Sequence, residues 1–117
     1  MMGAVGGIST HVLDTAAGRP AAGVAVYLER EGPSGWELVN EGVTDEDGRR
    51  PGLLPDGVEL VAGRYRISFD SGEYFASGGI KGFYPEVAIV FEVTEPGEHH
   101  HVPLLLSPFG YSTYRGS

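Results

Sequence analysis

The sequence predicts an all-β domain, a sandwich of two antiparallel sheets with one short helix. Apolar residues recur at period two in several stretches, which is the spacing of half-buried strands. The chain also contains 19 glycines and 8 prolines, which divide it into short segments. Short strands separated by regular turn signals are typical of a sandwich of about seven or eight strands.

The first half of the chain contains three strand candidates. In the second of them, Val24, Val26 and Leu28 share one face, and the residues between them share the other. Glycine- and proline-containing turn signals separate the three stretches. In chain order they are GISTHVLD, GVAVYLER and WELVNEGVT.

The second half contains further strand candidates. In RYRISFD, Tyr65, Ile67 and Phe69 lie on one side and polar residues on the other, which predicts a half-buried strand. PEVAIVFEV is rich in β-branched residues on both faces, so we expect both faces to be covered. The last candidate is HHHVPLLLSP.

One short helix is predicted over residues 56–63. Asp56 is suited to cap its N-terminus, and Glu59 follows three residues later, as in a capping box. Val58 and Val61 share a helical face, and Gly63 is suited to end the helix.

Length and composition predict a single domain over residues 1–117, with a flexible N-terminus over residues 1–7. The absence of cysteine excludes disulfides, zinc–thiolate sites and a thiol nucleophile. Sixteen acidic and eight basic residues give a net charge of -8, which argues against nucleic acid and anionic membranes as partners. No export signal or apolar spanning run is visible, so we expect a cytoplasmic protein.

Histidine and arginine side chains are the candidate functional groups. His11 and Arg49, each considered alone, are more typical of ordinary surface residues. In the run from His99 to His101, residues two apart on a strand share a face, so His100 points the opposite way from its neighbours. His101 is predicted to face away from the core. The core-facing residues of that strand are then Val102, Leu104 and Leu106.

Pro103 lies within this last predicted strand. Because proline donates no ladder hydrogen bond, the strand should lie at an edge or have an interrupted pairing. The face that carries His101, Pro103 and Leu105 combines apolar and imidazole groups outside the core. Such a face is suited to contact with a partner subunit.

Three blocks of the sequence resemble the 5-hydroxyisourate hydrolases, also called transthyretin-like proteins. The resemblance runs from Ile8 to Ser117. Transthyretin itself shares the VLD, LLSP and YST pieces but does not end in YRGS, so the chain is more similar to the enzymes. The three blocks are STHVLDTAAGRPAAGV, TDEDGR and HVPLLLSPFGYSTYRGS.

The resemblance implies a prealbumin-type sandwich that forms a homotetramer, a dimer of dimers with active sites at the dimer–dimer interface. The implied reaction is hydrolysis of 5-hydroxyisourate, a small purine-derived molecule of urate degradation. Its product is 2-oxo-4-hydroxy-4-carboxy-5-ureidoimidazoline, formed when a histidine-activated water attacks a ring carbonyl. The resemblance implies no cofactor and no metal.

The resemblance also implies which residues form the site. Either His11 or His101 would be the base, and the other would orient water or protonate the leaving nitrogen. Arg49 would bind ring oxygens and stabilise negative charge. The family often has tyrosine where this chain has His100, and because that side chain points the other way we expect little effect on catalysis. The matching catalytic residues are His11, Arg49, His101 and Ser117, and the substrate contacts are His11, Arg49, Tyr114, Arg115 and Ser117.

Three alternatives fit parts of the sequence. A carrier of small aromatic ligands would use the same channel, but it would need mostly apolar walls. A zinc hydrolase would use His11, His99 and His101, although no HExxH-type spacing is present. A structural prealbumin-like module is the third alternative, and the intact YRGS argues against it.

Overall fold

The computed structural model describes residues 6–117 and contains two β-sheets and one helix. The five-stranded sheet has the order β2-β1-β8-β9, with β5 paired to β1. Its strands are β1 (Ile8–Asp14), β2 (Arg19–Pro20), β5 (Arg49–Arg50), β8 (His100–Ser107) and β9 (Gly110–Thr113). The four-stranded sheet has the order β4-β3-β6-β7. Its strands are β3 (Ala25–Gly32), β4 (Gly35–Val43), β6 (Gly63–Phe69) and β7 (Val87–Val93), and the helix is α1 (Ser71–Ser77).

The sandwich confirms the predicted fold class, with one difference in strand direction. The four-stranded sheet is antiparallel, but β1 and β8 run parallel at the centre of the other sheet. Thr10 contributes to this junction because its buried hydroxyl donates a hydrogen bond of 2.6 Å to the Val102 carbonyl. A parallel pair between the two ends of the chain is not visible in local periodicity, which reports faces and not directions.

The core lies between the two sheets, on the faces that the period-two patterns predicted. The apolar faces of β3, β6 and β8 are all buried there. His100 is also buried, whereas His101 points outward, as strand alternation requires. The predicted core residues confirmed by burial are Val24, Val26, Leu28, Tyr65, Ile67, Phe69, Val102, Leu104 and Leu106.

The outward face of β7 differs from the prediction. Val87, Ile89 and Val93 are buried, but Ala88 and Val90 on the other face are exposed. The expectation that both faces are covered is therefore not met within one chain. A face rich in β-branched residues can be covered by its own chain or by a partner chain. The composition of this strand does not distinguish between the two.

The helix prediction over residues 56–63 is wrong. That segment forms turns, because Gly57 has a φ of 84° in the left-handed region and interrupts any helix that starts at Asp56. The helix lies instead in α1, where the Asp70 carboxylate accepts a hydrogen bond from the Glu73 amide. Asp70 and Glu73 have the same capping-box spacing that was assigned to the earlier segment.

Pro103 does not lie at a sheet edge, because β8 is flanked by β1 and β9. The alternative, an interrupted pairing, is what the structure shows. Pairing with β9 extends as far as Leu104 opposite Thr113, stops at the proline, and returns as a single bridge between His101 and Gly116. Because of this interruption, the residues after Thr113 do not continue the regular β8–β9 pairing, and they pair with β8 only at His101.

The predicted flexible N-terminus falls largely on residues 1–5, which lie outside the described residues, and the domain boundaries stay a prediction. Gly7, which is described, accepts a backbone hydrogen bond of 2.8 Å from His100. No helix within residues 6–117 is long and apolar enough to cross a bilayer.

Candidate functional site

The candidate site lies on the outward face of the five-stranded sheet. Ser9 is opposite His101 in the β1–β8 pairing, and His11 is opposite Arg49 in the β1–β5 pairing. Because paired residues point to the same side of a sheet, these four side chains share one face. The two-residue strand β5 is what brings an arginine beside two histidines from distant parts of the sequence.

A cavity of about 250 Å³ opens on this face. It brings together three of the four predicted catalytic residues, while His11 lies beside it, paired with Arg49. The cavity lining is Ser9, Thr10, Arg49, Pro51, His99, His101 and Ser117. Imidazole, guanidinium and hydroxyl groups dominate this lining, which gives the cavity hydrogen-bonding and cationic character.

The TDEDGR block builds the turn that presents Arg49. The Asp45 carboxylate accepts hydrogen bonds of 2.9 Å from the amides of Asp47 and Arg49. Gly48 has a φ of 75°, and a Cβ at this position would lie 2.3 Å from the Val12 carbonyl oxygen. Only glycine fits both the left-handed conformation and this close approach to β1. The glycine therefore lets the turn lie against the strand that carries His11.

The same turn orients His11. His11 Nε2 lies 2.9 Å from the backbone oxygen of Asp47. A carbonyl oxygen only accepts hydrogen bonds, so Nε2 carries a proton and donates it. In the neutral ring, Nδ1 is then the nitrogen with a free lone pair. The DEDG turn thus fixes the tautomer of one candidate catalytic histidine.

His101 is held through Nδ1, whereas His11 is held through Nε2. Nδ1 of His101 lies 2.8 Å from the Ser9 hydroxyl. Burial lowers the pKa of His101, and the nearby positive charge of Arg49 and then of His11 lowers it further. A lowered pKa keeps this imidazole neutral at neutral pH, which is the state in which a histidine accepts a proton.

The closing YRGS places Ser117 in the cavity. The Gly116 amide donates a hydrogen bond of 2.9 Å to the His101 carbonyl. A Cβ at Gly116 would lie 2.5 Å from Cδ2 of His101, so a larger residue would displace the ring or the tail. Arg115 forms an ion pair of 3.1 Å with Glu98. The arginine and glycine thus hold the tail across β8 beside His101.

Tyr114 and Arg115 are not placed with the other predicted site residues. Both are exposed and line a second cavity, of about 220 Å³, which also includes His100, Phe91 and one side of His101. The Arg115 guanidinium contacts Glu98 and the His99 carbonyl oxygen, in the segment before β8. The predicted substrate contacts at these two residues therefore stay predictions.

Other polar residues of the matching blocks have structural contacts. The Asp14 carboxylate is buried and accepts hydrogen bonds from the Ala17 amide at 2.9 Å and the Tyr74 hydroxyl at 2.8 Å. The buried Thr44 hydroxyl donates to the Ala21 carbonyl at 2.7 Å. These residues hold the turns around the site, and they do not line the cavity.

His100 points into the protein, as predicted, and is only 5% exposed. Among the described residues its Nδ1 is the buried side-chain atom without a hydrogen-bond partner. Burial lowers the pKa of His100, and the charge of Arg115 lowers it further. The expectation that His100 has little effect on catalysis is not tested by this placement.

Four lining residues were not among the predicted site residues, namely Thr10, Pro51, Ser9 and His99, and the last two share a face with predicted histidines. Both lie two residues from a predicted catalytic histidine, His11 and His101 respectively. Residues two apart on a strand share a face, and this period had already placed His99 beside His101; applied to His11, it would also have found Ser9. Within residues 6–117, no group of three or more histidine and carboxylate side chains is arranged to hold a metal ion.

Comparisons with known proteins agree with this fold. Residues 8–116 match the HIUase/Transthyretin family. A 5-hydroxyisourate hydrolase from Salmonella dublin is 47% identical over 110 residues, which cover 94% of this chain and 80% of that protein. The 5-hydroxyisourate hydrolase structure from Klebsiella pneumoniae has a TM-score of 0.82 and 39% identity, covering 94% of this chain and 98% of that one. Sea bream transthyretin in complex with thyroxine has a TM-score of 0.86 and 32% identity, covering 93% of each chain.

Proposed function

Because this chain belongs to the HIUase/Transthyretin family, we propose that it hydrolyses 5-hydroxyisourate in urate degradation, giving 2-oxo-4-hydroxy-4-carboxy-5-ureidoimidazoline. The observation that carries the proposal is the outward cavity, where His101, Arg49 and Ser117 meet beside His11. Its polar and cationic lining suits a flat, polar heterocycle that gains negative charge during reaction.

In this mechanism His101 is the general base. It takes a proton from water through Nε2 while the water oxygen adds to the ring carbonyl at C6. The lowered pKa of His101 supports this assignment because it favours the neutral, proton-accepting ring. The bound Ser9 hydroxyl keeps Nδ1 occupied and leaves the far side of the ring for water.

Arg49 and His11 act on the substrate, whereas His101 acts on the water. Arg49 stabilises the oxyanion that forms at the attacked carbonyl, and no ion pair within residues 6–117 occupies its guanidinium. When the tetrahedral intermediate collapses, the carbon–nitrogen bond of the six-membered ring breaks and the nitrogen takes up a proton. His11 is positioned by Asp47 to orient the substrate, or to supply that proton from Nδ1 when both of its ring nitrogens carry a proton.

Ser117 completes the proposed site within one chain, whereas Tyr114 does not. The Ser117 hydroxyl hydrogen-bonds the substrate or the attacking water, supported by its place in the cavity lining. Tyr114 and Arg115 contact the ring only if another subunit brings them toward a cavity, because within one chain they line a different one. We place the active sites at the dimer–dimer interface of a homotetramer, and the outward position of the cavity supports this arrangement.

The test of the function uses fresh 5-hydroxyisourate generated in the cuvette by urate oxidase. Its ultraviolet decay is followed with the parent protein, with His101→Asn and without protein. We expect the parent to accelerate the decay and His101→Asn to lose about 100-fold or more of that acceleration. The control variant is Glu41→Gln, at an exposed residue of β4 in the other sheet that does not line the cavity.

Decay at the spontaneous rate from the folded parent would overturn the hydrolase proposal. Carriage of small aromatic ligands would then be the better hypothesis, given the likeness to a transthyretin that binds thyroxine. Equal acceleration by the parent and His101→Asn would keep the activity and remove His101 as the base.

A further inference from the structure

A single hydroxyl group joins two histidines at the edge of the cavity. Ser9 Oγ lies 2.7 Å from His99 Nε2 and 2.8 Å from His101 Nδ1. Both distances are within the range of good hydrogen bonds. The contact follows from the fold, since Ser9 is opposite His101 in the β1–β8 pairing and His99 lies two residues before His101 on the same face.

The chemistry of the hydroxyl allows two arrangements of this bridge. Ser9 has one proton to donate, so it donates to one imidazole and accepts from the other. If it donates to His99, it accepts from Nδ1–H of His101, and Nε2 of His101 has a free lone pair. If it donates to His101, Nε2 of His101 carries the proton instead. The orientation of one hydroxyl thus favours one or the other tautomer of His101, and a change between the two tautomers also moves a proton between Nδ1 and Nε2 of the ring.

We propose that Ser9 and His99 form a proton relay behind His101, with Ser9 as the positioning residue that sets the tautomer of the base. This inference rests on the proposed hydrolase function. In the accepting arrangement, Nε2 of His101 takes a proton from water as the water oxygen bonds to the ring carbonyl. The Nδ1 proton of His101 moves to Ser9 Oγ, and the Ser9 proton moves to Nε2 of His99.

The charges around the cavity favour moving the proton outward. Arg49 from β5 and His11 from β1 both oppose a positive charge on His101, as does His99 when it is protonated. His101 is half-buried, whereas His99 is exposed and can release the proton to solvent. The relay therefore leaves His101 neutral beside Arg49 after the water has been deprotonated. The relay is balanced, because His101, Ser9 and His99 each accept one proton and pass one proton on.

The decisive variants remove and restore the bridging hydroxyl. Ser9→Ala should lower kcat by about tenfold to a hundredfold with little change in KM, because the base is mispositioned while the substrate contacts remain. Ser9→Thr keeps a hydroxyl on a strand-compatible side chain and should restore most of the loss. Ser68→Ala is the matched control, since Ser68 is a half-buried serine on β6 of the other sheet.

A double-mutant cycle tests the second half of the relay. His99→Ala should lower kcat about as much as Ser9→Ala, and the double variant should be no slower than either single variant. A kcat for Ser9→Ala within twofold of the parent, or losses that multiply in the double variant, would overturn the relay.

A measurement without substrate separates this proposal from the hydrolase function. Nitrogen-15 chemical shifts of the His101 ring report which nitrogen carries the proton above its pKa. We expect the tautomer ratio of His101 to change in Ser9→Ala and to stay as in the parent in Ser68→Ala. An unchanged ratio in Ser9→Ala would overturn the positioning role, even if the parent hydrolyses 5-hydroxyisourate. A parent that does not accelerate the decay would overturn the hydrolase function and the relay as a catalytic device, whatever the ratio.

Discussion

At the scale of residues, two arginines act on two neighbouring histidines. Arg49 contributes to the lowered pKa of His101, and Arg115 contributes to the lowered pKa of His100. Replacing an arginine with glutamine removes the positive charge that opposes imidazole protonation. We therefore expect the pKa of His101 to rise in Arg49→Gln and the pKa of His100 to rise in Arg115→Gln. Proton NMR titration of the imidazole Cε1–H resonances measures both.

Each arginine variant is the control for the other. Arg49→Gln should leave His100 unchanged, and Arg115→Gln should leave His101 unchanged, because neither arginine contributes to the other pKa. Equal shifts of both histidines in either variant would contradict the local pairing.

The direction of the His101 pKa shift also fixes the pH dependence of activity. Because the pKa of this base is lowered, activity should fall only at pH values below the ordinary histidine pKa of about 6.5.

Most catalytic candidates could be named before the structure because three blocks of the sequence resemble the hydrolases, whereas residue type and face alone did not distinguish His11 or Arg49 from ordinary surface residues. His11, Arg49 and His101 were named from the sequence, and the structure places them on one face of the sheet. Ser9 was not named, because a serine gains its role here only through two cross-strand distances. The ion pair that holds Arg115 at Glu98 was equally invisible, since it depends on where the tail lies.

At the scale of elements, a partly buried hydrogen bond joins β1 to α1. The Tyr74 hydroxyl donates to the Asp14 carboxylate at 2.8 Å, and burial followed by this carboxylate raises the pKa of Tyr74 to about 12. Tyr74→Phe leaves a buried carboxylate oxygen without its donor, and we expect a loss of about 1–3 kcal/mol in the free energy of unfolding. Urea denaturation at neutral pH measures it.

The matched control is Tyr84→Phe. Among the described residues the Tyr84 hydroxyl makes no hydrogen bond, so its removal should change the unfolding free energy little. Equal stabilities for the two variants would show that the Asp14 contact does not hold the helix against the sheet.

The elements themselves were predictable to different degrees. Long alternating strands such as β6 follow directly from their own residues, because one buried face and one polar face are both local features. The helix was placed wrongly because two segments have the same capping spacing, and the conformation of Gly57 decides between them. Strand β5 has two residues and exists only through its pairing with β1, so no periodicity could reveal it.

At the scale of the whole molecule, the outward face of the five-stranded sheet combines the cavity with an apolar pair. Leu13 and Leu105 are opposite each other in the β1–β8 pairing and are half-buried. On the proposed assembly this face lies between dimers. The apolar pair would then contribute to the contact that encloses the cavities.

Leu105→Arg tests this arrangement. An arginine on this face introduces a charge into the proposed contact, where its desolvation is unfavourable. We expect analytical ultracentrifugation to show a mass of four 12.4 kDa chains for the parent and two for the variant. Hydrolysis of 5-hydroxyisourate should fall together with the tetramer, because each cavity loses the subunit that covers it.

Leu38→Arg is the control. Leu38 is 59% exposed on the other sheet, so this variant should leave the assembly unchanged. A tetrameric Leu105→Arg with full activity would place the subunit contact elsewhere on the sandwich.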